Sequence, residues 1–309
     1  MAPRFIAVLT RSWPLVTKSA QKAIHNELKI LKDVKSCFIV KYYGAFVESG
    51  LQEVHIFMEY MDGGSFASLM PRVGRFPEAI LARVAHGSAS GLSYLLENHN
   101  AIHRDIKPGN ILVNTAGEVK ICDFGTARVM ENVEKQAITF IGTMVYMSPE
   151  RVEGRTHGSA GDVWALGVTL LEMAIGFRPI PAPTGDGAPA LAAARVEGQP
   201  FDVKEPMDEK VKIPFAIVNE ITTGPPLRLP AEGDFSEDFR EVIAAMLDRD
   251  DKSRISLAQL LLPTGWAGGK QADTATCATY VQWALSEPTL STRGGPTDGL
   301  AHKLSTNHI

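Results

Sequence analysis

No run of apolar residues in this 309-residue chain approaches the roughly 20 that a membrane-crossing helix needs, which excludes a helical span within it. The first apolar stretch, Phe5-Ile6-Ala7-Val8-Leu9, is too short for the core of a secretory signal and reads as a strand. Cysteine is scarce: Cys37, Cys122 and Cys277 are three in number and far apart, which points to a reducing compartment rather than a disulfide framework. Charge of one sign is nowhere concentrated. The 31 basic and 35 acidic residues give a net charge of −4, which argues against nucleic acid or an anionic membrane as the main partner. Glycine is absent before Gly44 and lysine before Lys18, although the chain holds 27 glycines. A soluble protein of the cytoplasm or nucleus, monomeric, is the expectation.

What is present separates into two regions. Residues 1–62 mix short apolar runs with one helical pattern. Phe5–Leu9, Ile39–Phe46 and Val54–Glu59 read as strands, and within Lys18–Val34 the residues Ile24, Leu28 and Leu31 share one helical face. Gly63-Gly64 breaks the strand pattern. From Ser65 the chain turns helical, with long apolar-faced segments at Ala79–Leu96 and Asp162–Ile175 and shorter ones at Ser236–Leu247 and Leu257–Leu262. Two short strands, Ile111–Asn114 and Val119–Cys122, flank the turn residues Ala116-Gly117. Residues 178–230, rich in Pro, Gly and Ala, read as an ordered insert with a loose middle, and residues 286–309 as a disordered tail. The plan is α+β with two lobes: a small lobe of strands and one helix at 1–62, and a larger, mostly helical lobe at 63–285.

The chemistry concentrates in His103-Arg104-Asp105-Ile106-Lys107-Pro108-Gly109-Asn110, followed by Asp123-Phe124-Gly125 thirteen residues after Asn110. Phosphoryl transfer asks a protein mainly for positioning and for neutralisation of phosphate charge. Asp105 can accept a proton from a substrate hydroxyl, and Lys107 can reach the transferring group. The oxygens of Asn110 and Asp123 suit Mg²⁺, which prefers hard ligands.

These two motifs resemble the catalytic loop and metal-binding loop of protein kinases. Ser148-Pro149-Glu150 resembles the end of that family's activation segment, with Arg254 as the buried partner of Glu150, and Asp162 resembles the residue that braces the catalytic loop. Met58-Glu59-Tyr60-Met61-Asp62-Gly63-Gly64-Ser65 looks like the inter-lobe hinge. Together with Phe140-Ile141-Gly142-Thr143, Tyr146–Arg151, Cys122 and the Pro-rich insert, it is similar to the MAP-kinase kinases, over about residues 18–285. The resemblance implies ATP and Mg²⁺ as cofactors, with Asn110 and Asp123 as metal ligands. It implies Asp105 as base, Lys107 as phosphate contact, and Arg104 and Thr143 as further members of the catalytic set. Glu27, Met58, Glu59, Met61, Ser65 and Cys122 would line or support the nucleotide site, and Thr139 would be the activating phosphosite beside Arg104. The implied partners are a downstream MAP kinase as substrate and an upstream kinase of MAP-kinase kinases.

The front of the small lobe departs from this pattern. Kinases cover the phosphates with a Gly-rich loop and place a strand Lys about seventeen residues before the helix Glu, which here falls at Thr10. Neither the loop nor the Lys is present, and Lys135 stands where the family places a first phosphorylatable residue before Thr139. Two expectations follow: an active dual-specificity kinase whose reading frame continues upstream of Met1, or a pseudokinase scaffold that uses the fold to bind partners.

Overall fold

The computed structural model describes residues 6–12, 31–48, 53–123, 144–155, 158–180, 215–231, 235–269 and 273–290. The small lobe is an antiparallel sheet of β1 (Ile6–Ser12), β2 (Tyr42–Glu48) and β3 (Glu53–Glu59), in the order β1-β3-β2. β3 lies in the middle, with Thr10 opposite His55 on one side and Ala45 opposite Ile56 on the other. The alternation of a half-buried strand is visible on it: Ile56 is buried, while His55 and Phe57 share the face where Phe46 stacks on both rings. Of the helix expected over 18–34, only the turn 31–33 falls within the described residues.

One expected strand divides. Ile39–Phe46 is not continuous: β2 begins at Tyr42, and Ile39 instead forms a parallel bridge to Ile121 of the larger lobe. Val40 N–H donates to the Ile121 carbonyl at 3.0 Å, and Ile121 N–H to that of Phe38 at 2.9 Å. Ile39 and Val40, with Phe38 half-buried beside them, are thus buried between the lobes and link them, which an apolar count along one strand does not distinguish.

The larger lobe opens at Gly63-Gly64. A Cβ on Gly63 would stand 2.7 Å from the Val113 carbonyl oxygen, and Gly64 has φ +74°, so the tight crossing requires both glycines. Ser65 then caps α1 (Phe66–Val73) by accepting from Ser68 N–H. α2 (Glu78–His99) runs three residues past the expected end at Leu96 and ends on Asn100, whose left-handed φ of 49° lets its N–H close on Leu95 and Leu96. β4 (Ile111–Val113) and β5 (Val119–Ile121) form an antiparallel ribbon across this helix. After α3 (Pro149–Val152) comes α4 (Ser159–Ile175), with Gly161 to Ala174 all buried. Such a helix is the core of the lobe rather than a surface element. α5 (Phe215–Thr222), α6 (Glu237–Met246), α7 (Leu257–Leu260), α8 (Trp266–Gly269) and α9 (Thr274–Ser286) complete it. Phe239 of α6 stacks on Trp266 of α8 with centroids 4.3 Å apart.

α9 was not expected, although Cys277, Tyr280, Val281 and Ala284 form its buried stripe at helical spacing. Its three Thr, Cys and aromatics are modest helix formers, and packing against α1 decides the matter. The packed chain continues past Ser286, because Arg72 donates to the Glu287 carbonyl at 2.7 Å. The remainder of the expected tail, from 291, lies outside the described residues, as does 181–214 of the insert.

Candidate active site

The catalytic loop is held from behind. Asp162, in the first turn of α4, accepts the backbone N–H of His103 and of Arg104, both at 2.8 Å. Burial pushes the Asp162 carboxyl above the usual carboxylate range, against the pull of His103 and of these two amides. The His103 ring is fully buried; its Nδ1 accepts from Asp105 N–H at 3.3 Å, and its Nε2 lies 3.0 Å from the Cys122 carbonyl. That pattern assigns the Nε2–H tautomer. Burial pushes the imidazole pKa down despite three nearby carboxylates, in keeping with a neutral ring. His103 therefore ties the catalytic loop to the strand end carrying Asp123.

Two residues in the centre have a left-handed backbone that non-glycine residues seldom adopt: Arg104 at φ 70° and Asp123 at φ 62°. Such conformations cost about 1–3 kcal/mol each and persist where the surroundings over-determine them, as the paired bonds to Asp162 do for Arg104.

At the front, Asp105 is gripped from two directions. Lys107 Nζ donates to its carboxylate oxygens at 3.0 and 2.9 Å, and Asn110 Nδ2 donates to Asp105 Oδ2 and to the Asp105 carbonyl, both at 2.8 Å. With its NH₂ group committed to Asp105, the Asn110 amide has its oxygen left for a cation. Asn110 sits in the 3₁₀ turn Pro108–Asn110, and its carbonyl accepts Cys122 N–H at 2.9 Å, so the two expected metal ligands sit at neighbouring chain crossings. Among the described residues no group of three or more His, Cys, Asp and Glu gathers. Mg²⁺ does not require one, since one or two carboxylates with substrate phosphates suffice. Asn110 and Asp123 fit that donor set.

The expected nucleotide wall is partly assembled. Met61 and Cys122 are buried together with Val40, and Met58 and Leu112 pack against them. The Cys122 side chain therefore packs, and its carbonyl serves His103. Asp62 accepts the N–H and hydroxyl of Thr115 at 2.7 and 2.6 Å; burial pushes its pKa up, but these bonds prevail and hold it low. Ser65 serves the helix cap described above. The Glu59 carboxylate turns away to Lys120, at 2.6 Å. Sequence reasoning missed Lys120, for which the pattern Val119-Lys120-Ile121, a charge inside a strand with all three residues buried, was the available signal.

Behind the loop, Arg254 and Glu150 form a buried bidentate pair at 2.9 and 3.0 Å, as expected for that partnership. Arg104 lends its carbonyl to Arg151 at 2.8 Å, and its Nε is buried without a hydrogen-bond partner among the described residues. Glu27, Thr139 and Thr143 lie outside the described residues, with Phe124-Gly125 and Phe140-Ile141-Gly142.

A carboxylate held by Lys107 and Asn110, on a loop braced by a buried Asp and tied through His103 to the strand end before Asp123, matches the parts phosphoryl transfer needs. The family described as "Protein kinase domain" matches residues 9–264. The chain belongs to the protein kinase family. Within it, the chain is 42% identical over 248 residues to a protein of Drosophila melanogaster named dual specificity mitogen-activated protein kinase kinase dSOR1, covering 80% of this chain. The chain spans 60% of the length of that curated relative. The kinase match begins at Leu9, inside β1, and the strand it enters carries no lysine.

Proposed function

We propose that this kinase domain transfers the γ-phosphate of ATP to Ser, Thr and Tyr hydroxyls of a downstream MAP kinase. The single observation that carries the reading is the Asp105 carboxylate, held between Lys107 and Asn110 on a loop braced by Asp162. Asp105 orients the attacking hydroxyl and accepts its proton. The Lys107 ammonium, already on Asp105, would contact the γ-phosphoryl as the hydroxyl receives it. Mg²⁺, when bound, neutralises charge on the phosphate oxygens, and Asn110 Oδ1 and the Asp123 carboxylate would hold it. Adenine would lie along the hinge against backbone groups of Glu59 and Met61, over the Met58, Met61 and Cys122 wall.

Arg104 would receive phosphorylated Thr139, ordering the activation segment through charge-assisted bonds. Thr143 would meet Lys107 and Asp105 as part of a Ser/Thr-type site, and Glu27 would take part in the nucleotide lobe. The activator would be an upstream kinase of MAP-kinase kinases, in the cytoplasm or nucleus. The described residues contain no helix long and apolar enough to cross a membrane.

One observation favours the second reading, a pseudokinase scaffold: β1 carries no lysine, and Thr10, where the spacing expects the phosphate-anchoring lysine, lies opposite His55 of β3. The test is incubation of the purified chain with Mg·ATP and inactive MAP kinases, followed by phosphopeptide mass spectrometry. The kinase reading expects phosphate on Thr and Tyr of one MAP kinase, and on Thr139 of the active form. MAP kinase captured but never phosphorylated would favour the scaffold.

A further inference from the structure

The hinge and the metal-binding strand are joined by a charge pair that the catalytic scheme above does not use. Lys120 lies in the middle of β5, three residues before Asp123, with a side chain only 9% exposed. Its Nζ meets Glu59 Oε1 at 2.6 Å and Glu118 at 3.6 Å. Glu59 is the last residue of β3, at the start of the hinge, and its second oxygen accepts Lys41 N–H at 3.2 Å while its own N–H donates to the Lys41 carbonyl at 2.8 Å. One carboxylate thus ties together the nucleotide-facing end of the small sheet, the strand entering it, and the strand that delivers Asp123.

The surroundings make this a defined geometry. Lys120 would be costly to bury without a partner, and its flanking residues Val119 and Ile121 are buried, so the strand cannot rotate to release it. The backbone bonds of Val40 and Ile121 cross between the lobes close by, and the Asp62–Thr115 contact closes the other end of the hinge. The pair stands in the wall of a half-open cavity of about 650 Å³ behind the hinge, lined also by Cys37, Tyr43 and Tyr60.

We infer that Glu59 and Lys120 form an inter-lobe latch: positioning residues that hold the hinge at a fixed distance from Asp123. A ligand spanning hinge and metal site then meets both in register. The mechanical link stands on the contacts alone; its consequence for ATP rests on the proposed kinase function. Loosening the latch leaves each site intact but frees their separation, which penalises a ligand that must engage both.

The test uses the full 309-residue chain with Lys120→Met, Lys120→Arg and Glu59→Gln. Hydrogen exchange is read over 57–62 and 119–123, with α4 as internal reference, and binding is read for Mg·ATP and for adenosine. Lys120→Met is expected to raise exchange in both segments and not in α4. It should weaken Mg·ATP by at least about tenfold relative to adenosine, with Lys120→Arg restoring both readouts. A role confined to stability would lower the melting temperature and leave the ratio of the two affinities unchanged. Faster exchange at both segments in a chain that binds neither ligand would uphold the latch and remove the nucleotide reading. Unchanged exchange over 57–62 in Lys120→Met, or an unchanged affinity ratio in a chain that binds both ligands, would overturn the inference.

Discussion

Glu150 and Arg254 stand 104 residues apart in sequence and meet with almost no access to solvent, 1% and 0% for the two side chains. Two buried opposite charges are tolerable only because each satisfies the other. Arg254 also donates to the carbonyls of Asp248 and Ala160, while its guanidinium lies over the Trp164 ring. Removing one partner leaves a buried charge, so Arg254→Met should cost about 3–5 kcal/mol, whereas the double replacement by apolar residues should cost less than the single one. Urea denaturation of the single and the double variant measures this.

The same pair sets a pH dependence. Burial pushes the Glu150 carboxyl up, but the Arg254 bonds prevail, and its pKa in the folded protein lies below the ordinary value of 4.5. As pH falls through that ordinary value, the unfolded chain takes up the proton first and stability declines until the folded value is passed. This contribution is therefore complete above the ordinary value and lost below it. Glu150→Gln should show a shallower acid loss of stability than wild type; parallel curves would contradict the assignment.

At the scale of elements, Gly117 shows how a turn is specified by what packs on it. It lies in the turn between β4 and β5 with φ +80°, and a Cβ there would stand 2.1 Å from the Thr274 carbonyl at the start of α9. Gly117→Ala should destabilise the chain by more than about 1 kcal/mol, because both the backbone region and the space exclude a side chain. Hydrogen exchange should rise at the start of α9 as well as in the turn; a change confined to the turn would show that α9 does not rest on it.

The Ala116-Gly117 turn was legible as a turn, but not its contact with α9, because local residue preferences carry no information about a helix over 150 residues away. α2 and α4 were legible from their apolar periodicity. The catalytic loop, its Asp162 brace and the Glu150–Arg254 pair were legible because resemblance supplied their partners. The Glu59–Lys120 contact was not, since a lysine in a three-residue strand reads as an exposed one until the strand is seen to be buried on both faces. The division of Ile39–Phe46 between two sheets was hidden for a similar reason: burial between lobes and burial within a sheet look alike in sequence.

For the whole molecule, the described residues hold the loop His103–Asn110, braced by Asp162, and a sheet of three strands. In that sheet β1 carries no lysine, and its Thr10 lies opposite His55 of β3. On the proposed reading, Asp105, held by Lys107 and Asn110, would supply orientation and proton transfer, while a strand lysine would chiefly improve placement of the phosphates. On that reading, the lack of a lysine in β1 should slow phosphate transfer rather than abolish it.

Single-turnover transfer from radiolabelled Mg·ATP, with wild type and Asp105→Asn side by side, tests this most directly. The substitution keeps the side chain's size and removes the charge that accepts the proton, so transfer should fall by about 10²–10⁴-fold while Mg·ATP binding remains measurable. Equal rates in the two proteins, or no transfer by the wild type at saturating Mg·ATP, would contradict the account.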